Sequence, residues 1–504
     1  MSGLQELSVV NCLITLAVSG LALLFFSCSG YFERLLDRWR GRVPPGPLVL
    51  PVIGAVGVDP LRPEQTFRKW AAQYGSMFSF FLGDRFCIGV SDLNVIRRLF
   101  KDERFTNRSQ AGIIRYLDGE PLKGIIMGHG GVWKEHRRFT LTALRDFGFG
   151  RVSGAEYIHR EESSLLTAFR DKNGQPFDPK MLFATAVSNV ISCMLFTSEL
   201  KPGDARFAKF VAETTTLMAN FVASGAMEVY PWLRHFPPFS RRLKELNARH
   251  MENIGLLAEM VQDHKKSFDS DHPRDYIDAF FCVQEERRKR DADEGTFTDA
   301  QLVRNLADVF IAGYETTSTY LRWSMVYMIL HPEVQRKVQA EIDAYIGNSR
   351  LPNLADKAKL PYTDAVTIEI HRICYFVPFS VPHAASEDVE FEGYLIPKGT
   401  EIWPLVCHHF MNPDVWGDPE VFRPERFIDA TGNLIGSLVD EVQPFSSGRR
   451  ACIGEPLARM EVFGFFAAIL QHFTLSSEVP PSRDSTISAV RAPLPFTMIA
   501  TPRV

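Results

Sequence analysis

A strongly apolar stretch opens the chain. No charged residue lies between Glu6 and Glu33, and this interval contains the segment LITLAVSGLALLFF. A helix of this length crosses the ~30 Å hydrocarbon layer of a membrane. Four arginines follow between residues 34 and 42, so the positive-inside rule leaves the rest of the chain in the cytosol. A cleaved signal peptide is the alternative, but no basic segment precedes the long apolar run. The pattern predicts a single-pass anchor at residues 1–33.

The segment after the anchor is basic and rich in proline. Residues 34–50 contain VPPGP, and proline both fixes φ and removes a backbone donor. We therefore predict a stiff linker over residues 34–50. The chain beyond residue 50 shows no internal repeat and no low-complexity segment. It is predicted to fold as one large domain over residues 51–504.

The middle of the chain has the periodicity of helices. The segment TDAQLVRNLADVFIAGYETTSTYLRWSMVYMIL begins with a capping pattern, Thr298 to Gln301, and ends before Pro332. It predicts a helix of roughly 32 residues and ~48 Å, long enough to cross a whole domain. The next segment, PEVQRKVQAEIDAYIG, places apolar residues on one stripe and stops at Gly347.

The pattern changes near residue 385. The segment VEFEGYLIPKGTEIWPL alternates apolar and polar residues and turns at Gly393 and Gly399, which predicts short strands. A proline-punctuated coil is predicted after it, and the segment EPLARMEVFGFFAAILQHF then returns to helical periodicity. The chain is therefore predicted to be mainly α with a minor β region.

Composition narrows the protein class. The 504 residues are 45% hydrophobic and carry a formal net charge of −4, which is typical of a large globular protein and argues against one that coats nucleic acid. Phe is common, with 39 residues against 13 Tyr, which suits an apolar cavity or simply a large core. The eight cysteines are scattered without a CxxC pair, as is usual for reduced intracellular thiols.

One cysteine stands in a tightly arranged loop. Cys452 lies within FSSGRRACIG, just before a predicted helix, with Arg449 and Arg450 close by. A helix N-terminus and nearby cations lower a thiol's pKa, which predicts a thiolate. Gly448 and Gly454 allow a flat group to approach the backbone closely. The residues alone leave three roles open: an axial ligand of a haem iron, an inert buried cysteine, or a nucleophile without a histidine partner in its motif.

The loop also matches F-x-x-G-x-R-x-C-x-G at every fixed position, namely Phe445, Gly448, Arg450, Cys452 and Gly454. This pattern resembles the haem-binding loop of the cytochromes P-450, the haem-thiolate monooxygenases. The resemblance extends over essentially the whole chain and is nearest to the microsomal drug-, steroid- and fatty-acid-metabolising branch of animals. It implies the cytochrome P-450 fold, a single large haem domain behind a transmembrane helix. It also implies haem b as cofactor, Cys452 as the axial ligand of the iron, and Phe445 as a haem contact.

Two short motifs, EIHR and PERF, follow the order expected of that family. Taken alone, an acid and an arginine three residues apart on a helix usually form a solvated pair. The resemblance implies a buried structural cluster of Glu369, Arg372 and Arg426 behind the haem loop. Charges buried in mutual contact are costly to separate.

The segment AGYETT lies inside the long predicted helix. Gly313 weakens the helix, and the Thr316 hydroxyl is placed to bond back to a carbonyl. A notch of small residues for packing is the alternative. The resemblance implies that Thr316 and Glu315 form a catalytic proton relay, with Ala312 against the haem. Ile311 and Tyr314 depart from the residues frequent in this branch; a large Ile311 either narrows the pocket or packs outward.

The remaining haem contacts are implied by the resemblance. The motif WKEHRR places Trp133 and Arg137 one helical turn apart, and both reach haem propionates in the family, as do Arg450 and His383. Arg108 is a further candidate. Arginines that bind in a bidentate manner suit carboxylates.

No part of the chain resembles a flavin- or nicotinamide-binding fold, so electrons must come from a partner. The resemblance implies an NADPH-dependent cytochrome reductase, with cytochrome b5 as an optional second donor, docked on a basic face. The candidate residues, which are equally interpretable as solvated charges, are Lys134, Arg138, Arg145 and Arg449. The expected location is the endoplasmic reticulum membrane, with the catalytic domain in the cytosol and no nucleic-acid partner.

The substrate is expected to be a lipophilic small molecule, since the implied pocket segments are mostly apolar. Arg491 is either a carboxylate anchor within that pocket or an arginine in a turn. The expected reaction is hydroxylation or epoxidation of a fatty acid, steroid or xenobiotic with O2. Two alternatives stay open: a haem-thiolate isomerase or dehydratase that acts on peroxides, and a haem sensor without turnover.

Overall fold

The computed structural model describes residues 30–59, 62–109, 116–117, 123–149, 152–197, 209–214, 216, 225–291, 293–486 and 490–503. The chain divides into two compact units. The sheet unit comprises Met1–Ser109 and Phe379–His408, and the helical unit comprises Gln110–Pro378 and His409–Val504. Each unit is described by itself below.

The strands and helices are numbered in chain order. The strands are β1 (Val49–Leu50), β2 (Gly54–Ala55), β3 (Met77–Leu82), β4 (Arg85–Val90), β5 (Asn107–Arg108), β6 (His383–Ala384), β7 (Val389–Phe391), β8 (Tyr394–Ile396), β9 (Glu401–Pro404), β10 (Phe473–Ser476) and β11 (Ile499–Pro502). The helices are α1 (Pro63–Tyr74), α2 (Leu93–Lys101), α3 (Gly130–Asp146), α4 (Val152–Arg170), α5 (Lys180–Phe196), α6 (Gly225–Val229), α7 (Phe239–Lys266), α8 (Tyr276–Asp291), α9 (Asp299–Leu330), α10 (Pro332–Tyr345), α11 (Pro361–Cys374), α12 (Val406–Phe410), α13 (Pro413–Trp416), α14 (Gly436–Val439) and α15 (Glu455–His472). The predicted mainly α fold with a minor β region is confirmed.

The sheet unit is built on a seven-stranded sheet in the order β1-β2-β3-β4-β9-β6-β5. Strand β4 pairs in parallel with β9, so the long chain excursion between them returns to the same sheet. Strand β3 is buried because its phenylalanines pack against a helix. Phe78 and Phe80 are fully buried and contact Phe67 and Trp70 of α1. The short strands predicted in the alternating segment near residue 385 are confirmed as β7, β8 and β9.

The segment before the sheet is held against it. Residues 30–39 are helical, and the Tyr31 hydroxyl donates to the Val49 carbonyl at 2.8 Å. Arg38 donates to the Ser79 hydroxyl at 3.0 Å and to the Pro47 carbonyl at 2.9 Å. The predicted anchor at 1–33 lies, apart from its last four residues, outside the described residues. In the part of the chain that the structure describes, no helix is both long enough and apolar enough to cross a membrane.

The helical unit is organised around α9. Its 32 residues confirm the predicted length, and the Thr298 hydroxyl accepts from the Gln301 N–H at 3.2 Å as the capping pattern required. Helix α9 is largely buried and packs against four other helices, α5, α7, α11 and α15. The next helix, α10, begins at Pro332, and Gly347 beyond its end has φ of +65°, which favours glycine.

The stretch predicted as coil after residue 410 contains short helical turns. Helix α13 starts with a proline in its first turn, and the Asn412 side chain caps it by accepting from the Asp414 N–H. The PERF motif forms a single 3-10 turn, Pro424–Phe427. Proline therefore starts turns here rather than preventing them, which is why the coil prediction was wrong over these residues.

Candidate active site

The cysteine loop has a defined backbone. It contains a 3-10 turn, Gly448–Arg450, in which Gly448 adopts φ of +73°. The Cys452 N–H donates to the Phe445 carbonyl at 2.9 Å, which closes the loop just before α15. Among the described cysteines, Cys452 alone has an exposed side chain. The loop thus presents its sulfur instead of packing it into the core.

The thiol does not have the low pKa expected from its neighbours. Desolvation is the largest effect and raises the pKa of Cys452, although the side chain is exposed by surface area. The backbone N–H groups of Gly454 and Glu455 and the Arg137 guanidinium lower it, whereas the Glu455 carboxylate raises it. The prediction of a lowered pKa is therefore wrong, because desolvation by the protein around the loop exceeds the effect of the helix terminus. A bound metal ion deprotonates a coordinating thiol outright, so ligation does not require the lowered pKa.

Trp133, Arg137 and Arg450 are brought together beside this loop. The Arg450 guanidinium carbon lies 3.5 Å from the centre of the Trp133 ring, and that of Arg137 lies 5.9 Å away. Arg137 also donates a hydrogen bond to the Ala451 carbonyl, directly before the cysteine. The W-x-x-x-R spacing on α3 and the arginine of the loop therefore meet at one indole ring.

Asp308 of α9 supports the same arrangement and was missed from the sequence. Its Oδ2 accepts from the backbone N–H groups of Ile125 and Ile126 at 2.7 and 2.9 Å. The carbonyls of Ile125 and Gly128 in turn accept from Arg450 at 3.2 and 2.6 Å. A carboxylate on the long helix thus fixes the loop that orients Arg450.

The group formed by Trp133, Arg137 and Arg450 contains a buried hydrogen-bond donor without an acceptor among the described residues. The Trp133 Nε1 is buried and has no hydrogen-bond partner among the described residues. Arg137 forms no ion pair with a described carboxylate, and desolvation lowers its pKa. Buried donors normally have acceptors. The carboxylates of a haem would supply such acceptors, so the donor set and the exposed Cys452 sulfur fit a haem.

The two other predicted propionate contacts lie in the sheet unit and are neighbours there. Arg108 and His383 are register partners in the pairing of β5 with β6, and both are buried. The His383 Nδ1 lies 2.6 Å from the Phe105 carbonyl, and its ring stacks on Phe100 at 4.2 Å. Arg108 donates to the Pro382 carbonyl at 3.1 Å. Their contact with haem stays a prediction.

The motif AGYETT occupies the middle of α9. The Thr316 hydroxyl donates to the Ala312 carbonyl at 2.7 Å, so the predicted back-bond is confirmed. Ala312 itself is exposed. Gly313 lies against α5, where an added Cβ would sit 3.3 Å from Ile191. The small residues therefore give a close helix crossing and, on another side of α9, an accessible surface.

Glu315 is a half-buried acid on the same turn. Desolvation raises its pKa, while Lys180 and Arg322 lower it. Adjacent residues point about 100° apart on a helix, so Glu315 and Thr316 share a turn but not a direction. The carboxyl lies in the field of two cations and still has a raised pKa, which means that it retains a proton more readily than an exposed glutamate.

A second acid near α9, Glu461, escaped notice in the sequence. It is buried at 1% exposure on α15, and its Oε1 has no hydrogen-bond partner among the described residues. Burial raises its pKa well above the usual value, and a hydrogen bond with Thr317 opposes that rise. The only signal was a charged letter inside the apolar run MEVFGFF.

The Glu–Arg–Arg cluster implied by EIHR and PERF is confirmed. Arg372 binds both Glu369 oxygens at 2.7 Å, and the Arg426 Nε lies 3.1 Å from Glu369 Oε1. All three side chains are buried. Arg372 also donates to the carbonyls of Phe410 and Pro419, so the cluster holds the segment that precedes the cysteine loop.

Arg491 is engaged within the protein. It donates to the Cys374 carbonyl at 3.2 Å and to the Ser485 hydroxyl at 3.0 Å, and its guanidinium lies 4.0 Å from the centre of the Tyr375 ring. These contacts favour the arginine-in-a-turn alternative over a carboxylate anchor. Tyr314, one of the two departures from the family pattern, is buried against Phe310.

Comparison with known proteins agrees with this geometry. The family model described as "Cytochrome P450" matches residues 44–500. The chain is 35% identical to cytochrome P450 2E1 of Oryctolagus cuniculus, over 97% of this chain and 99% of that protein. It is 36% identical to cytochrome P450 2D14 of Bos taurus, with the same two coverages, and 37% identical to cytochrome P450 2C3 of Oryctolagus cuniculus over 89% and 92%. Enzymes of this family bind haem b through a thiolate and receive electrons from NADPH through a reductase. The chain therefore belongs to the cytochrome P450 family and is a haem-thiolate monooxygenase.

Proposed function

We propose that this protein is a membrane-anchored enzyme that inserts one oxygen atom from O2 into a lipophilic substrate, with Cys452 as the axial ligand. The observation that carries the proposal is the exposed Cys452 side chain near the buried Trp133 Nε1, a donor without an acceptor among the described residues. Haem, when bound, supplies dioxygen binding and O–O cleavage, which the thiolate favours by electron donation. The chain's own residues supply binding, orientation and protons.

The proposed binding residues act through charge and hydrogen bonds. Trp133 Nε1 and the guanidinium groups of Arg137 and Arg450 would hold propionates, because each offers N–H donors in a desolvated setting. His383 and Arg108 are proposed as further propionate contacts. Phe445 and Ala312 are proposed as apolar haem contacts.

Proton delivery is assigned to α9. Thr316 carries a hydroxyl whose proton is donated to the Ala312 carbonyl, and this bond is exchangeable for one to a water or an oxygen ligand. Glu315 has a raised pKa and therefore holds a proton near neutral pH more often than an exposed glutamate does. The pair fits general acid catalysis, which needs a donor within hydrogen-bond reach.

Electron delivery is assigned to a basic face of the helical unit. Lys134, Arg138 and Arg145 are exposed on α3, and Arg449 is exposed in the cysteine loop. Such a face attracts an acidic partner through long-range electrostatics. We propose an NADPH-dependent cytochrome reductase as that partner and cytochrome b5 as a second donor. The proposed location is the endoplasmic reticulum membrane, with residues 1–33 as the anchor, 34–50 as the linker and 51–504 in the cytosol.

The test uses the full chain in membranes with an NADPH-dependent reductase. Ferric spectra are titrated with long-chain fatty acids, steroids and drug-like aromatics, and oxygenated product is compared with NADPH consumed. We expect a low- to high-spin shift, a red-shifted Soret band of the ferrous–CO form, and product that requires NADPH. Cys452→Ser should lose the red-shifted band, and half-buried Ser477→Ala is the control.

Three results would contradict the proposal. A red-shifted band retained in Cys452→Ser would show that another residue is the ligand. Turnover of peroxides without NADPH or O2 would identify an isomerase or dehydratase. Ligand-dependent spectra without any product would identify a sensor.

A further inference from the structure

The ring of Phe445 is held from two directions. His371 on α11 meets it in an edge-to-face arrangement, with 5.7 Å between ring centres and 66° between planes. The Arg459 guanidinium, on α15, lies 5.0 Å from the ring centre and is itself bound to Glu455 at 2.8 Å. Edge-to-face and cation–π contacts both restrict how a ring can rotate. The position of Phe445 is thus set by two side chains outside the cysteine loop.

His371 is a buried, neutral ring with no obvious structural requirement to be histidine. It is 9% exposed, and its Nδ1 has no hydrogen-bond partner among the described residues. Burial holds its pKa at about 3, so the imidazole is uncharged at neutral pH. An unpaired buried polar atom destabilises the folded state. Packing alone would be served as well by an apolar ring.

Behind His371 the ring contacts continue to α9. Tyr320 lies 4.2 Å from His371 between ring centres, and its hydroxyl donates to the Thr367 carbonyl at 2.8 Å. Tyr320 follows Thr316 by one helical turn. A continuous series of rings, Tyr320, His371 and Phe445, therefore joins the helix that carries the proposed proton relay to the cysteine loop.

The series reaches the cysteine through the backbone. The Phe445 carbonyl accepts from the Cys452 N–H at 2.9 Å, so a shift of Phe445 changes that bond. Ser446, the next residue, adopts φ of +63°, a conformation that few side chains tolerate and that leaves the loop little freedom to compensate. Movement of the Phe445 ring is therefore transmitted to the cysteine.

We infer that His371 is a positioning residue for Cys452: by holding the Phe445 ring it keeps the loop backbone in place, so that the Gly454 and Glu455 N–H groups stay hydrogen-bonded to the sulfur, and it thereby sets the reduction potential of the haem. The inference rests on the proposed function, specifically on ligation by Cys452. Hydrogen bonds to a ligating sulfur and solvent exposure are the protein's levers on such potentials. An inert core histidine is the competing explanation.

The test is the ferric/ferrous midpoint potential of the haem-loaded full chain, measured by spectroelectrochemical titration. His371→Ala should lower the midpoint, because a sulfur that loses N–H hydrogen bonds donates more electron density to the iron and stabilises the ferric form. His371→Phe should have the wild-type midpoint, because phenylalanine keeps an aromatic ring in contact with Phe445. The control is Ile373→Ala, which also truncates a buried side chain on the same helix and should leave the midpoint unchanged.

Each outcome decides. A red-shifted ferrous–CO band in His371→Ala with an unchanged midpoint overturns the inference but not the proposed function, as does an equal shift in Ile373→Ala. Failure of His371→Phe to restore the midpoint also overturns it. If His371→Ala does not retain haem, His371→Leu, which keeps volume without a flat ring, should shift the midpoint in the same direction, and no shift counts against the inference. A wild-type protein without the red-shifted band overturns both proposals.

Discussion

The Arg450 guanidinium lies directly over the Trp133 indole, 3.5 Å from its centre to the guanidinium carbon. Both side chains are buried, and a desolvated cation–π contact contributes about 2 kcal/mol. A cysteine loop and a helix far apart in sequence are thereby joined through one ring. The donors of α3 and of the loop that we propose to bind haem therefore depend on each other.

Arg450→Lys should weaken haem retention. Lysine keeps the charge but loses the flat stacking surface and the fork that serves two carbonyls. Loss of about 2 kcal/mol corresponds to roughly a 30-fold weaker haem affinity. Haem content per protein, measured after dialysis against a haem acceptor, checks this, with exposed Arg449→Lys as the control. Equal haem retention in both variants would contradict the assignment.

Thr316→Ala should uncouple turnover while sparing haem and substrate binding. Among the described residues the hydroxyl bonds only to the Ala312 carbonyl within α9, so we expect its removal to leave the fold intact. Electrons should then leave as peroxide, with the ratio of product to NADPH falling about tenfold. The matched control is Thr167→Ala, which removes an equivalent back-bond to Ser163 on α4. Unchanged coupling in Thr316→Ala would remove Thr316 from the relay.

Glu461→Gln should stabilise the fold increasingly as the pH rises. The pKa of Glu461 is raised in the folded state, so the protonated acid is favoured there. Its favourable contribution is fully present below the unfolded pKa and is lost as the pH rises through the folded one. Glutamine keeps the neutral shape at every pH. Melting temperatures at pH 5 and pH 8 check the effect; an equal gain at both, or the same gain in exposed Glu478→Gln, would contradict it.

Glu369→Gln should prevent accumulation of haem-loaded protein. It leaves two buried arginines without their carboxylate, and breaking a buried ion pair costs about 3–5 kcal/mol. Haem-loaded yield and protease resistance of the expressed chain are the measurements. Glu425→Gln, in an exposed pair with Lys337, should change little. Normal yield from Glu369→Gln would mean that the cluster is dispensable.

Short sequence signals predicted helix boundaries, because the residues at a helix end determine where the helix stops. The bounds of α9 followed from a capping threonine at Thr298 and a proline at Pro332, and the structure confirms both ends. The contacts of Glu369 with Arg372 and Arg426 followed from the resemblance, since spacing alone could not tell a buried cluster from a solvated pair.

Properties that depend on tertiary packing were not predictable. The raised pKa of Cys452 reflects desolvation by chain segments that only the fold brings near. Glu461 was concealed by its apolar neighbours, and the contact of His371 with Phe445 joins residues far apart in sequence. Motif spacing names the residues of a site, but it carries no information about dielectric surroundings.

The hydrogen bonds of Arg38 to Ser79 and Pro47 bear on how the chain is best trimmed for crystallisation. Removing the residues before 30 leaves these bonds and the Tyr31 contact in place, so the shortened protein should keep residues 30–39 held against the sheet. Cutting at residue 44 instead would remove the Tyr31 hydrogen bond to Val49 of β1, the outermost strand of the sheet, and an uncovered edge strand invites aggregation. Residues 30–50 are thus better regarded as part of the folded sheet unit than as a disposable tether.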